Sequence, residues 1–236
     1  MKRITLEKIC LVAALALGPV LAVSAQSIQS SAAPYPTAAP PAPAVAQGNG
    51  LLGSDYAEVD FGYDKEHGVP DLIHDYGFVY NQSVFRDGAW GTDANLGYDY
   101  LTGAAYGYHD YRDRAEAGLT EYFSSSWGSP FVTADAGGAW QRTRNVSRKS
   151  FAYDLTAGVE IPLAYNLFLT PFTEYQAEPH LYNHEIPLAF DPNHVWDYGV
   201  KATYRFTKTW SLSFGATLDQ YSRNDLGYKA GLTCHF

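Results

Sequence analysis

The chain has 236 residues, 16 Lys and Arg against 25 Asp and Glu, and a formal net charge of −9. That balance excludes a nucleic-acid binder, which must neutralise phosphates with basic side chains. Aromatics make up 15% of the residues, 19 of them Tyr, against a single Met, a composition that favours many strands over a helical core.

At the amino end, Lys2, Arg3 and Lys8 precede an apolar run over residues 9–23, and Val23-Ser24-Ala25 supplies small residues for cleavage. This pattern predicts a secretory signal peptide over 1–25 and export through the Sec pathway. The run is too short for a spanning helix, which needs about 20 apolar residues, and no second run of that length follows. Cys10 lacks the preceding pattern of a lipoprotein. Removal of the leader leaves Cys234 as the one cysteine, so no internal disulfide is expected. Residues 26–53 are rich in Pro, Ala, Ser and Gln and read as a disordered periplasmic linker.

From Ser54 onward, apolar and polar residues alternate, as in strands with two different surroundings. Segment 55–63 sets Ala57, Val59, Phe61 and Tyr63 against Glu58 and Asp60. Segment 72–81 sets Tyr76, Phe78 and Tyr80 against Asp75 and Asn81. Segment 89–100 sets Trp90, Ala94, Leu96 and Tyr98 against Asp93, Asn95 and Asp99. Segment 113–123 sets Ala115, Ala117, Leu119 and Phe123 against Arg114 and Glu116. Segment 131–141 sets Val132, Ala134 and Trp140 against Thr133, Asp135 and Gln141. Segment 150–161 sets Phe151, Tyr153, Leu155 and Val159 against Asp154 and Glu160. Segment 167–176 sets Leu169, Pro171 and Tyr175 against Glu174 and Gln176, but Phe168 and Phe172 share the polar side. Segment 195–206 sets Trp196, Tyr198 and Tyr204 against Asp197, Lys201 and Arg205. Segment 210–221 sets Leu212, Phe214 and Leu218 against Ser211, Ser213 and Asp219. Segment 226–236 sets Tyr228, Leu232 and Phe236 against Lys229, Thr233 and His235.

Ten strands of about 9–12 residues match the length that crosses a bilayer at a tilt. Tight turns are predicted at 82–88, 124–130, 162–166 and 207–209. Longer connections are predicted at 64–71, 101–112, 142–149, 177–194 and 222–225. Short turns on one side and longer loops on the other place the turns in the periplasm. The fold class is therefore all-β: a single transmembrane up-and-down antiparallel β-barrel over 54–236, with eight strands as the alternative if 72–81 or 113–123 belongs to loops. A soluble lipocalin-like barrel would turn the apolar face inward. Aromatics at strand ends and Ala, Leu and Val at strand middles favour the membrane form, with its interfacial girdles.

The last strand ends on Phe236. With this closing strand and the architecture above, residues 54–236 resemble the small outer-membrane β-barrel proteins of Gram-negative-type bacteria. That class includes OmpA-like domains, opacity-type adhesins and small porins. The resemblance implies Phe236 as an outer-membrane assembly signal, and the barrel-assembly machinery, outer-membrane lipids and lipopolysaccharide as partners. It carries no signature of one family, so no further functional residues follow from it.

The inferred lumen face holds Glu58, Asp60, Asp93, Asp99, Glu116, Asp135, Asp154, Glu160, Glu174, Asp197, Lys201 and Arg205. Buried charges must pair or stay hydrated. The lumen is therefore expected to be largely salt-bridged, with the same residues lining a narrow cation-preferring pore in the alternative reading. Arg142, Arg144, Arg148 and Lys149 form a basic patch at the outer rim, suited to bidentate contact with lipopolysaccharide phosphates. His74-Asp75 and His109-Asp110 are the couples that an outer-membrane protease would need, but neighbours on a strand face opposite ways. No Ser/His pairing is evident from strand position either. His180, His184, Glu185, Asp191 and His194 cluster in one loop, but three prolines there break the ligand spacing. The expectation is a non-enzymatic barrel with a structural or surface-interaction role, no cofactor and no metal.

Overall fold

A computed structural model describes residues 50–64, 73–105, 108–143, 146–179, 194–220 and 226–236. The segment expected to be a signal peptide, the expected linker up to residue 49, and His180, His184, Glu185, Asp191 and Arg144 lie outside the described residues.

The described residues form ten strands: β1 (Tyr56–Asp64), β2 (Ile73–Asp87), β3 (Trp90–Ala105), β4 (Tyr108–Phe123), β5 (Ser129–Thr143), β6 (Val146–Ala164), β7 (Leu167–Ala177), β8 (His194–Arg205), β9 (Trp210–Asp219) and β10 (Gly227–His235). Each pairs antiparallel with its chain neighbour. β1 closes the barrel on β10, with Tyr56 opposite His235 and Tyr63 opposite Tyr228. Both 72–81 and 113–123 contribute strands, which sets aside the eight-strand alternative.

Several strands run further than the alternation indicates. The β2–β3 turn is confined to Gly88-Ala89, with Gly88 at φ 60°, a left-handed conformation suited to a two-residue hairpin. The expected loop 101–112 is mostly strand, paired up to Ala105 opposite Tyr108. The expected loop 142–149 is paired up to Thr143 opposite Val146. In 101–112 the run Gly103-Ala104-Ala105 offers no polar contrast, and in 142–149 both parities are mostly basic or hydroxyl-bearing, so the alternation that marks a strand in the sequence fades while the ladder continues.

The burial pattern is inside-out relative to a soluble domain. Val59, Leu96, Leu119 and Leu212 are each more than half exposed, whereas Glu58, Asp93, Arg114 and Thr233 are each at most 4% exposed. Outward rings form rows near the strand ends. Towards the long connections, Phe61, Tyr76, Tyr100 and Tyr111 follow one another at centroid spacings of 5.2, 6.2 and 6.2 Å. Tyr153, Tyr175 and Trp196 continue the row at 6.2 and 5.0 Å. On the turn side, Trp90 meets Phe123 at 5.6 Å, and Phe236 stacks on Tyr80 at 6.0 Å. Between the rows lie Leu96, Leu119, Val132 and Leu155, all exposed.

The parity of β7, ambiguous because of its two phenylalanines, is resolved by packing across the interior. Phe172 shares the inward face with Glu174 and lies over Gly199, where a Cβ would stand 2.3 Å from its ring. Phe131 covers Gly158 in the same way, at 2.7 Å. Glycines in neighbouring strands thus make room for rings that fill the lumen.

Candidate functional site

Contacts between strands that are not neighbours must pass through the interior, so they locate the lumen chemistry. Glu58 on β1 receives both contacts of the Lys201 ammonium from β8, at 2.8 and 2.9 Å, and a hydrogen bond from Ser213 Oγ at 2.8 Å. Nearer the turn side, Ser211 Oγ and His235 Nε2 are 2.7 Å apart. Asn95 donates to Thr120 Oγ1 at 2.8 Å, and Thr120 and Thr133 share a 2.7 Å hydrogen bond.

Towards the long connections, the Arg114 guanidinium joins three strands. It pairs with Asp154 on β6, with Glu116 at 2.7 Å, and donates to Gln176 on β7 at 3.0 Å. Its Nε lies 3.7 Å from Glu178, which also pairs with Arg112. Across the barrel, the Lys229 ammonium stands 2.9 Å from Asp60, 3.1 Å from Asp75 and 3.5 Å from Asp99. These three carboxylates approach one another closely enough to hold a metal ion. The ammonium already sits among them and supplies the positive charge.

Every lumen residue singled out in the sequence has inward parity. Asp135 faces Asp154 across the β5–β6 register. Glu174 stands opposite Asp197, and Asp197 opposite Asp219, giving three carboxylates side by side on β7, β8 and β9. Arg205, at the turn-side end of β8, donates from Nη2 to the Lys208 carbonyl. Asp93 and Glu160 have no Lys or Arg within ion-pair distance among the described residues; both instead accept backbone N–H groups from the segment before β1. A cavity of about 380 Å³ opens on the side of the long connections, lined among others by Asp75, Asp99, Arg114, Glu174, Asp197 and Lys229.

The basic patch is divided by the β5–β6 hairpin. Arg142 and Lys149 share the outward parity with Trp140, and Arg148, opposite Gln141, has inward parity. The His74-Asp75 couple does not meet: His74 packs outside against Phe61 at 6.1 Å, while Asp75 faces Lys229 inside. His109 is exposed.

The Ser211–His235 pair is a residue set that the sequence reading did not bring together. Its signal was the inward parity of both residues and the β9–β10 pairing. Ser211 is 1% and His235 6% exposed, and among the described residues His235 Nδ1 has no hydrogen-bond partner. A buried Ser–His contact with no acid orienting the ring lacks the third group of a nucleophilic triad. Tyr122, 2% exposed on the turn side, was also missed: it shares the parity of Arg114 and Glu116, but only its packing at Gly53 and Gly91 marks it as buried.

No family model matches the sequence, and no curated protein matches it. Solved structures do. The chain is similar to the translocator domain of autotransporter NalP from Neisseria meningitidis, at 10% identity over 81% of this chain and 92% of that one, with a TM-score of 0.43. It is similar to the β domain of the Bordetella autotransporter BrkA, at 11% identity over 78% and 99%, with a TM-score of 0.49. It is also similar to the outer membrane enzyme PagL, at 11% identity over 75% and 98%, with a TM-score of 0.40.

Proposed function

We propose that the protein is an integral outer-membrane β-barrel, exported through the Sec pathway. On this reading it is non-enzymatic and closed, and serves as a structural or surface-interaction body whose outward end is the contact surface. Membrane residence is supported by the apolar outer band between two rows of rings, since a closed barrel satisfies every backbone group in lipid. The single observation that carries the closed reading is the bracing of the lumen between non-neighbouring strands: ion pairs from Lys201 on β8 to Glu58 on β1 and from Arg114 on β4 to Asp154 on β6, with a hydrogen bond from Arg114 to Gln176 on β7. Arg142 and Lys149, which share the outward parity, are the residues proposed to meet lipopolysaccharide phosphates.

Single-channel recording of the purified protein in a planar bilayer tests this reading. The expected result is a folded, heat-modifiable barrel that stays electrically silent. Discrete cation-preferring steps would replace it with a second reading, a narrow pore, which the carboxylate-rich cavity favours.

A further inference from the structure

The segment Gly50–Ser54 ends the stretch expected to be linker, yet it is built into the barrel. It leaves β1 and reaches β6, which in the closed order lies five strands away in either direction, on the opposite wall. There Leu51 N–H donates to Glu160 Oε2 at 2.9 Å. On the way, Gly53 N–H donates to Asp93 Oδ2 at 2.8 Å, and Asn81 Nδ2 donates to the Ser54 carbonyl at 2.8 Å. Ser54 Oγ closes the turn on the Leu51 carbonyl at 2.7 Å.

Two glycines fit the segment to its seat. A Cβ on Gly50 would lie 1.8 Å from Glu160 Oε1. Gly53, at φ 70°, rests on the buried Tyr122, whose hydroxyl would be 2.4 Å from a Cβ there. The two carboxylates are deeply buried, at 8% for Glu160 and 1% for Asp93. Glu58, Asp60 and Asp154 each meet an ammonium or a guanidinium, whereas Glu160 and Asp93 meet backbone amides. Charge-assisted hydrogen bonds of this kind are strong, and a buried carboxylate without them is costly.

We propose that residues 50–54 form a strap across the turn-side mouth of the barrel, latched by Glu160 and Asp93, and that loss of the latch frees the strap and uncovers that mouth.

Thiol labelling of the full chain tests this. In a Cys10→Ala, Cys234→Ala background, Leu51→Cys places a thiol on the strap and keeps the latching N–H. Ser126→Cys places a control thiol on an exposed turn of the same side. A membrane-impermeant maleimide is expected to label position 51 at least about tenfold more slowly than position 126 in the folded barrel. Adding Glu160→Ala and Asp93→Ala should close most of that gap. Glu160→Gln with Asp93→Asn keeps side-chain size, serves if the alanine variant fails to show heat-modifiable folding, and should raise the rate at 51 while leaving 126 unchanged. Equal rates at 51 and 126 in the parent, or no acceleration in either folded latch variant, would overturn the proposal. The assay works in detergent micelles, so its failure is distinct from that of the closed-lumen reading, which conductance decides.

Discussion

Replacing Arg114 by Met removes the cation that ties β4 to β6 and β7. The Arg114 side chain is 5% exposed, Asp154 and Glu116 are each 9% exposed, and Glu178 is 7% exposed. Glu178 keeps Arg112, so the change leaves two buried carboxylates without their guanidinium and Gln176 without its donor. Removing one partner of a buried pair costs about 3–5 kcal/mol. With a urea dependence of about 2 kcal/mol per M, the unfolding midpoint should fall by about 2 M. The assay is urea unfolding of the barrel refolded in lipid vesicles, read by Trp fluorescence and by heat-modifiable migration. Adding Asp154→Asn to the Met variant removes one stranded charge and should recover part of the loss. A midpoint lowered by less than about 0.5 M in the single variant would refute the bracing argument. It would mean that water entering from the open cavity hydrates these carboxylates as well as Arg114 does.

Other perturbations address other parts of the molecule. Phe172→Ala should cost about 3–5 kcal/mol by leaving a void over Gly199, measured in the same urea assay, and Phe172→Leu should cost less. Leu155→Arg, in the outward band, should destabilise the barrel by about 2–4 kcal/mol in vesicles but have little effect on detergent-solubilised folded protein, where the head group reaches water. Alanine at both Arg142 and Lys149 should lower lipopolysaccharide binding in a co-sedimentation assay and flatten its salt dependence, while the urea midpoint stays unchanged. Ser211→Ala should cost about 1 kcal/mol of stability by leaving the buried His235 without its partner, and should alter no hydrolytic activity on ester substrates.

The sequence made the barrel legible because one face of the strands is apolar and outward and the other polar and inward. Segment 150–161 displays this best, and β6 holds Leu155 outside and Asp154 inside. Legibility failed where both faces are wet. Arg142 and Lys149 read as loop residues, although the ladder carries them past Trp140. It failed again where polar partners are distant in the chain. Parity puts Glu58 and Lys201 on one face, but only closure of β1 on β10 brings them within 2.8 Å across 143 residues. The strap was invisible for a different reason. Its latch uses backbone N–H groups of Leu51 and Gly53, which every non-proline residue possesses, and the sequence holds no mark of where they dock.

The two ends of the lumen differ in how charge is handled, and this locates any solute contact. On the turn side, hydroxyls, an imidazole and strap amides are the partners of Thr120, Ser211, Asp93 and Glu160, in a region with rings from Phe131 and Tyr122. On the other side, Glu174, Asp197 and Asp219 stand opposite one another on adjacent strands, an arrangement in which like charges repel by about 0.2–1 kcal/mol per pair. Glu174→Gln should therefore stabilise the barrel, raising the urea midpoint by a few tenths of a molar at low ionic strength. The gain should shrink at about 0.5 M salt, because the cavity is open to ions that screen the ladder. A loss of stability at low salt would show instead that Glu174 braces the lumen alongside Asp154. The carboxylate ladder would then belong to the closed framework of the barrel and not to its outward contact surface.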